Sequence, residues 1–140
     1  MTDRDLIEKK LAFIETCVVQ LRELARPEQI ETDIREERFT AHTLQIAIQA
    51  SLDVASHIVS ERRLGEPETN SELFDLLRRD QWISSEMART MRKMAGFRNI
   101  LVHGYQRMDL RILRDIVENR LDDLLAFSGA IKVRMNEISA

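Results

Sequence analysis

With 140 residues the chain has room for one domain, and 44% hydrophobic residues give it a core to bury. Four glycines, two prolines and 5% aromatics favour helices over a sheet-rich fold, and argue against an aromatic platform on which single-stranded bases stack. The net charge of −3 is unevenly spread: positions 89–114 hold seven cations against Asp109 alone, which makes that segment +6 and the remainder −9.

The opening Met1-Thr2-Asp3-Arg4-Asp5 has no basic-then-apolar signal pattern, and no apolar stretch in the chain reaches the length of a membrane span. A cytoplasmic protein off the membrane is expected. Ile7, Leu11, Ile14, Val18, Leu21 and Ala25 recur at three- and four-residue spacing and predict a first helix over residues 3–26. Thr2 and Asp5 form a capping box at its start, and Pro27 ends it. Cys17, the only cysteine, excludes an internal disulfide and sits among apolar residues, as a packed side chain rather than a nucleophile. No Cys/His cluster is spaced to hold zinc.

A second helix is expected from residue 28 or 32 to 63. Between residues 44 and 59 it is apolar on more than one side, the mark of a central helix, covered by its own chain on one side and a second subunit on the other. Asp53 and His57, four apart, read as a satisfied buried polar pair; a metal would need a third ligand that nothing is spaced to supply. His42 reads as exposed. Gly65 and Pro67 close the helix. Thr69 and Glu72 make a capping box for a short third helix through Leu73, Phe74, Leu76 and Leu77. Ser84 or Ser85 opens a fourth, whose Met87, Met91 and Met94 form a packing stripe, which Gly96 interrupts or loosens and Gly104 stops. A fifth runs from residue 109 to 127 or further, with Leu110, Leu113, Val117, Leu121 and Leu124 on one face. The expectation is a single all-α domain over residues 1–140, a bundle of about five helices.

Chemistry concentrates in Arg98-Asn99-Ile100-Leu101-Val102-His103-Gly104-Tyr105, where a cation, an amide, an imidazole and a phenol fall just before a predicted helix end. At about 100° per residue, Arg98 and His103 lie ~140° apart on a regular helix, whereas Asn99 and His103 share a face. For Arg98 to reach the phosphate that His103 serves, the helix loosens, Arg98 reaches around it, or a dimer brings two copies together. Arginine outnumbers lysine 17 to 4, and guanidinium suits bidentate phosphate contacts. RNA can be cut without a metal when its 2′-hydroxyl attacks the adjacent phosphate; one group takes that proton and another protonates the leaving 5′-oxygen. Imidazole is suited to both tasks near neutral pH, and Arg98 would stabilise charge on the phosphate oxygens. Each segment has one histidine, so the second group is His103 of another copy, Tyr105 or a water. The bland alternative is that His103 serves a helix end, where a cation is favoured, and that Tyr105 packs.

The stretch Met94-Ala95-Gly96-Phe97-Arg98-Asn99-Ile100-Leu101-Val102-His103-Gly104-Tyr105 resembles the signature of the HepT branch of HEPN nucleases: Arg, a polar residue, three variable residues, His, one residue, Tyr. Residues 44–58 resemble the family's central helix. The resemblance implies a HEPN helical bundle that works as a homodimer with the motif lining a cleft between subunits. It implies a metal-independent endoribonuclease toxin that needs no cofactor, with transfer RNA among the suggested targets. It also implies a MntA-like nucleotidyltransferase antitoxin that transfers AMP to Tyr105. Arg98, Asn99, His103 and Tyr105 are then the catalytic set, with Asn99 and Tyr105 orienting the other two. The rival expectation is a non-catalytic helical dimer that docks a nucleotidyltransferase or presents a nucleotide to it.

Overall fold

Asp3 opens the first helix of the computed structural model, which describes residues 3–139. Its carboxylate accepts the Leu6 amide proton at 3.1 Å, and α1 runs Arg4–Leu24. Thr2 of the expected capping box lies outside the described residues. Ile7, Leu11, Ile14, Cys17, Val18 and Leu21 are all buried, as their spacing requires.

Helix α2 (Ile34–Glu61) begins later than expected because Pro27–Gln29 forms a separate 3-10 turn and Asp33 then caps the helix, accepting from Arg35 N at 2.9 Å. Every other helix of the bundle packs against α2. Leu44, Ile48, Val54 and Ile58 are therefore covered within one chain, and no second subunit is needed to hide them. Beyond exposed Ile34, the stripe of α2 left open to solvent is polar and includes His42 and Ser56. After α2 the chain turns through Arg63 and Gly65, both at positive φ. Gly65 is required there: its φ of +143° suits no other residue, and a Cβ would come within 3.2 Å of Leu76 Cδ2.

Helix α3 (Glu72–Arg79) lacks the expected box. The Glu72 carboxylate accepts from Glu68 N at 2.7 Å, and Thr69 contributes its carbonyl, not its hydroxyl, to Glu72 N at 3.2 Å. Phe74 of α3 meets Phe127 edge-to-face at 5.8 Å between centroids and closes the core at this end. Asp80, just beyond α3, accepts from Arg62 Nε at 2.8 Å and Trp82 Nε1 at 3.0 Å, tying the end of α2 to the approach to α4.

Helix α4 (Ser85–His103) carries the motif. The expected last helix is two: α5 (Leu110–Asn119) and α6 (Leu121–Ser139). The break falls at Arg120 (φ −122°, ψ 3°), with no proline or glycine to announce it. Apolar periodicity runs through the joint, since Leu113, Val117, Leu121 and Leu124 are all buried. The two pieces have different neighbours, however: α5 packs on α2 and the Pro27–Gln29 turn, α6 on α1, α2 and α4. One straight axis cannot serve both. The bundle thus has six α-helices, not five, with no strand among the described residues. Among the described residues no helix is long and apolar enough to cross a membrane.

Candidate active site

Ser84 caps α4, its hydroxyl accepting from Met87 N at 3.1 Å, and the helix then runs unbroken past Gly96. Met91, Met94, Ala95, Phe97 and Leu101 pin one side into the core. Their burial keeps the helix regular, so Gly96 neither interrupts nor loosens it, contrary to expectation. Gly104 does end it, but not by left-handed geometry: its φ is −127° and its amide still donates to Ile100 O at 2.8 Å. The chain then tightens into a 3-10 turn at Tyr105–Arg107.

A regular helix fixes where the motif residues point. Asn99 and His103 stand one turn apart on the exposed side, and Arg98 leaves from a half-buried side. Of the routes by which Arg98 could join His103, loosening of the helix is excluded. Instead the guanidinium reaches round to its neighbour: Arg98 Nη1 donates to Asn99 Oδ1 at 3.1 Å. Arg98 Nε is buried with no hydrogen-bond partner. A buried, unpaired guanidinium nitrogen is costly unless something completes it, and an anionic ligand would do so. His103 is exposed in the last turn of α4, where the helix dipole favours a cation.

Tyr105 turns back against α2. Its ring packs on the core, its hydroxyl is buried without a well-formed hydrogen bond, and the Arg38 guanidinium lies over the ring at 5.4 Å from its centroid. Burial pushes the phenol above its ordinary pKa; the Glu37 carboxylate adds to that and Arg38 partly offsets it. The phenol is thus held neutral. In this arrangement Tyr105 does not offer its oxygen to solvent beside His103, and chemistry on that oxygen requires the groups that cover it, Arg38 among them, to shift. Glu37 and Arg38 went unseen in the sequence. They lie more than 60 positions before Tyr105 in a run of mixed charge, and no spacing rule joins them to the motif.

Not all cations of the 89–114 segment are free. Arg111 pairs with Asp109 at 3.1 Å and Arg114 with Glu118 at 2.9 Å, while Arg92 stands 3.7 Å from Asp75. Arg89, Lys93, Arg98 and Arg107 have no carboxylate partner among the described residues. Within this segment, the cations without a carboxylate partner therefore lie on α4 and the turn that follows it.

The remaining candidates behave as structural groups. Asp53 and His57 are half-exposed and do not bond each other: Asp53 accepts from Lys10 Nζ at 3.1 Å and Gln49 Nε2 at 2.9 Å, and His57 Nε2 accepts from Asp3 N at 3.3 Å. Among the described residues no three His, Cys, Asp or Glu side chains gather as a metal ion would need. Cys17 is buried, which raises its thiol pKa. Met91 and Met94 are core residues and Met87 packs against them.

The model of the ribonuclease HepT-like family matches residues 14–131. The chain is 31% identical over 129 residues to the mRNA nuclease HepT of Shewanella oneidensis, covering 91% of this chain and 97% of that protein. It is 31% identical over 109 residues to the tRNA nuclease HepT of Aphanizomenon flos-aquae, covering 74% and 72%. The fold superposes with a TM-score of 0.86 on the tri-AMPylated HEPN toxin of Shewanella oneidensis, solved in complex with its MNT antitoxin, at 30% identity over 94% of this chain and 99% of that one.

Proposed function

The chain belongs to the HepT-like ribonuclease family, and from that premise we propose that it is the toxin of a toxin–antitoxin pair, an endoribonuclease that cuts RNA without a metal ion. The observation that carries this reading is the contiguous grouping of Arg98, Asn99 and His103 at the end of α4, with the Arg98 guanidinium held by Asn99 at 3.1 Å. In the step proposed, the RNA 2′-oxygen forms a bond to phosphorus and the bond from phosphorus to the 5′-oxygen breaks. The products are a 2′,3′-cyclic phosphate and a free 5′-hydroxyl. One base takes the 2′-hydroxyl proton, and one acid gives a proton to the leaving 5′-oxygen. His103 fills one of these roles. Arg98 stabilises charge on the non-bridging oxygens through its guanidinium.

The second proton-transfer group is His103 of another copy in a homodimer. Two observations favour this over Tyr105: the Tyr105 hydroxyl is buried, and its pKa is raised rather than lowered. Exposed Ile100 of α4 and Ile112 of α5 give a second copy apolar surface beside the motif.

A MntA-like nucleotidyltransferase is the proposed antitoxin, acting by transfer of AMP to Tyr105. The structures of similar toxins with such partners and the matching motif tyrosine support this. The added phosphate would compete for the site formed by Arg98 and His103 and repel RNA. Because the hydroxyl is buried, the side chains that cover it, Arg38 among them, move aside before transfer.

The test is cleavage of a broad RNA pool, transfer RNA and mRNA included, in excess EDTA, by protein prepared without its partner and checked for unmodified Tyr105. Cyclic phosphate ends that vanish in His103→Ala are expected, with a rate loss of roughly 10²–10⁴. Full activity in that variant, or activity that EDTA abolishes, overturns the assignment.

A further inference from the structure

We infer that the exposed ridge of α4 leading to His103 is a track for the RNA backbone, on which Arg89, Arg92 and Lys93 hold phosphates remote from the one that is cut. The inference rests on the ribonuclease reading above and extends it from the cut site to how the strand is held.

Helical periodicity places Arg89, Arg92, Gly96, Asn99 and His103 in one row, at alternating steps of three and four residues. All five are exposed, and Lys93 flanks the row. Gly96 is its low point: a Cβ there would meet nothing within 4 Å, and the row passes beside the hollow of Ile100 and Ile112, where Asp115 and Asp123 also lie. Arg89, Arg92 and Lys93 line one surface hollow together with Ser71. No acidic residue interrupts the sequence between Glu86 and Asp109.

Cations on several other faces are held in ion pairs, although Arg35, Arg78, Arg79 and Arg120, like the ridge, have no carboxylate partner among the described residues. Arg4, Lys10 and Arg114 sit on Glu8, Asp53 and Glu118 at 2.8, 3.1 and 2.9 Å. Arg89 and Lys93 have no carboxylate partner among the described residues, and Arg92 is held only at 3.7 Å from Asp75. Arg89 and Lys93 exchange counterions for phosphates with no ion pair to break, and Arg92 with only a long one. From Arg92 to His103 the helix rises roughly 16 Å at 1.5 Å per residue. A stacked strand carries a phosphate about every 3.4 Å along its axis, so roughly five phosphates span that distance. Before His103 the row contains no aromatic residue, so the track grips backbone and does not read bases.

The test measures binding, separately from cleavage. A fluorescein-labelled single-stranded RNA of mixed sequence is titrated by anisotropy, across a range of NaCl, against unmodified full-length protein carrying His103→Ala. Adding R89Q, R92Q and K93Q should weaken binding at least tenfold and flatten the slope of log affinity against log salt by about 2, at ~0.7 per phosphate contact on a single strand. Gly96→Glu alone, which sets a carboxylate into open space, should weaken binding severalfold with its melting temperature kept. A control of equal charge loss on the α1–α6 side (Lys9→Gln, Arg22→Gln and Lys132→Gln) should leave the slope near that of the parent.

An unchanged slope in the triple variant, or an equal loss in the control, overturns the track; cleavage by the wild-type protein in the same preparation would leave the ribonuclease reading intact. Absence of RNA binding by the parent together with absence of cleavage by the wild type overturns both. Variants that bind RNA normally but escape neutralisation by a nucleotidyltransferase would overturn the track in favour of a protein-docking face.

Discussion

Arg98 donates to the Asn99 side chain at 3.1 Å, although the two residues are adjacent and leave α4 in different directions. This contact turns a half-buried guanidinium towards the face on which Asn99 and His103 stand one turn apart. On the ribonuclease reading proposed above, Asn99 is a positioning residue and Arg98 the group that meets phosphate.

Removal of Arg98 should be the more damaging of the two changes. Arg98→Ala is expected to lower kcat by roughly 10²–10³, the usual cost of losing one transition-state donor. Asn99→Ala should cost up to about 10²-fold through misplacement. Because Asn99 acts through Arg98, adding Asn99→Ala to Arg98→Ala should cost little more. Single-turnover rates of the double-mutant cycle check this; additive losses would show that Asn99 acts independently of Arg98.

Tyr105→Phe should change stability by no more than about 1 kcal/mol in either direction, because the buried hydroxyl it removes approaches Arg38 and Glu37 without forming a well-made hydrogen bond. The pH dependence follows from the raised phenol pKa. Folding disfavours the ionised phenol, so this stabilisation is fully present below the ordinary phenol range and is lost as pH rises through the raised pKa. Melting curves at alkaline pH should show a decline in the parent that Tyr105→Phe reduces. The same decline in both would locate the alkaline sensitivity elsewhere.

Arg38→Ala should speed transfer of a nucleotide to Tyr105 by loosening the packing over its ring. Intact mass followed over time with a nucleotidyltransferase and ATP reads the rate. A slower transfer would mean that Arg38 holds Tyr105 ready for reaction instead of shielding it.

Two glycines should respond in opposite directions. Gly96→Ala adds a methyl into open space on a regular helix and should stabilise by about 0.5–1 kcal/mol. Gly65→Ala forces a φ of +143° on a residue that disfavours it and pushes a methyl to 3.2 Å from Leu76, so it should destabilise by about 1–3 kcal/mol. Thermal melts of both variants at one pH test the pair.

Periodicity alone determined most of the fold. The rows Ile7-Leu11-Ile14-Val18-Leu21 and Met91-Met94-Ala95 had to face inward on helices, and they do. A helix as apolar as α2 had to be central. The adjacency of Arg98, Asn99 and His103 was legible because a short motif on one helix carries its own geometry: spacing of four sets Asn99 and His103 on one face whatever surrounds them.

Tertiary structure decided what depends on neighbours. It split the last helix at Arg120, because α5 and α6 rest on different partners and no local residue signals a break. It kept α4 straight through Gly96, since five buried residues held the helix more firmly than one glycine could loosen it. It also folded Tyr105 under Arg38, a residue far away in the chain, and so buried the hydroxyl that the motif seemed to present. Local pattern encodes which way a side chain leaves its helix. What covers that side chain depends on contacts between distant segments, which only the packed chain brings together.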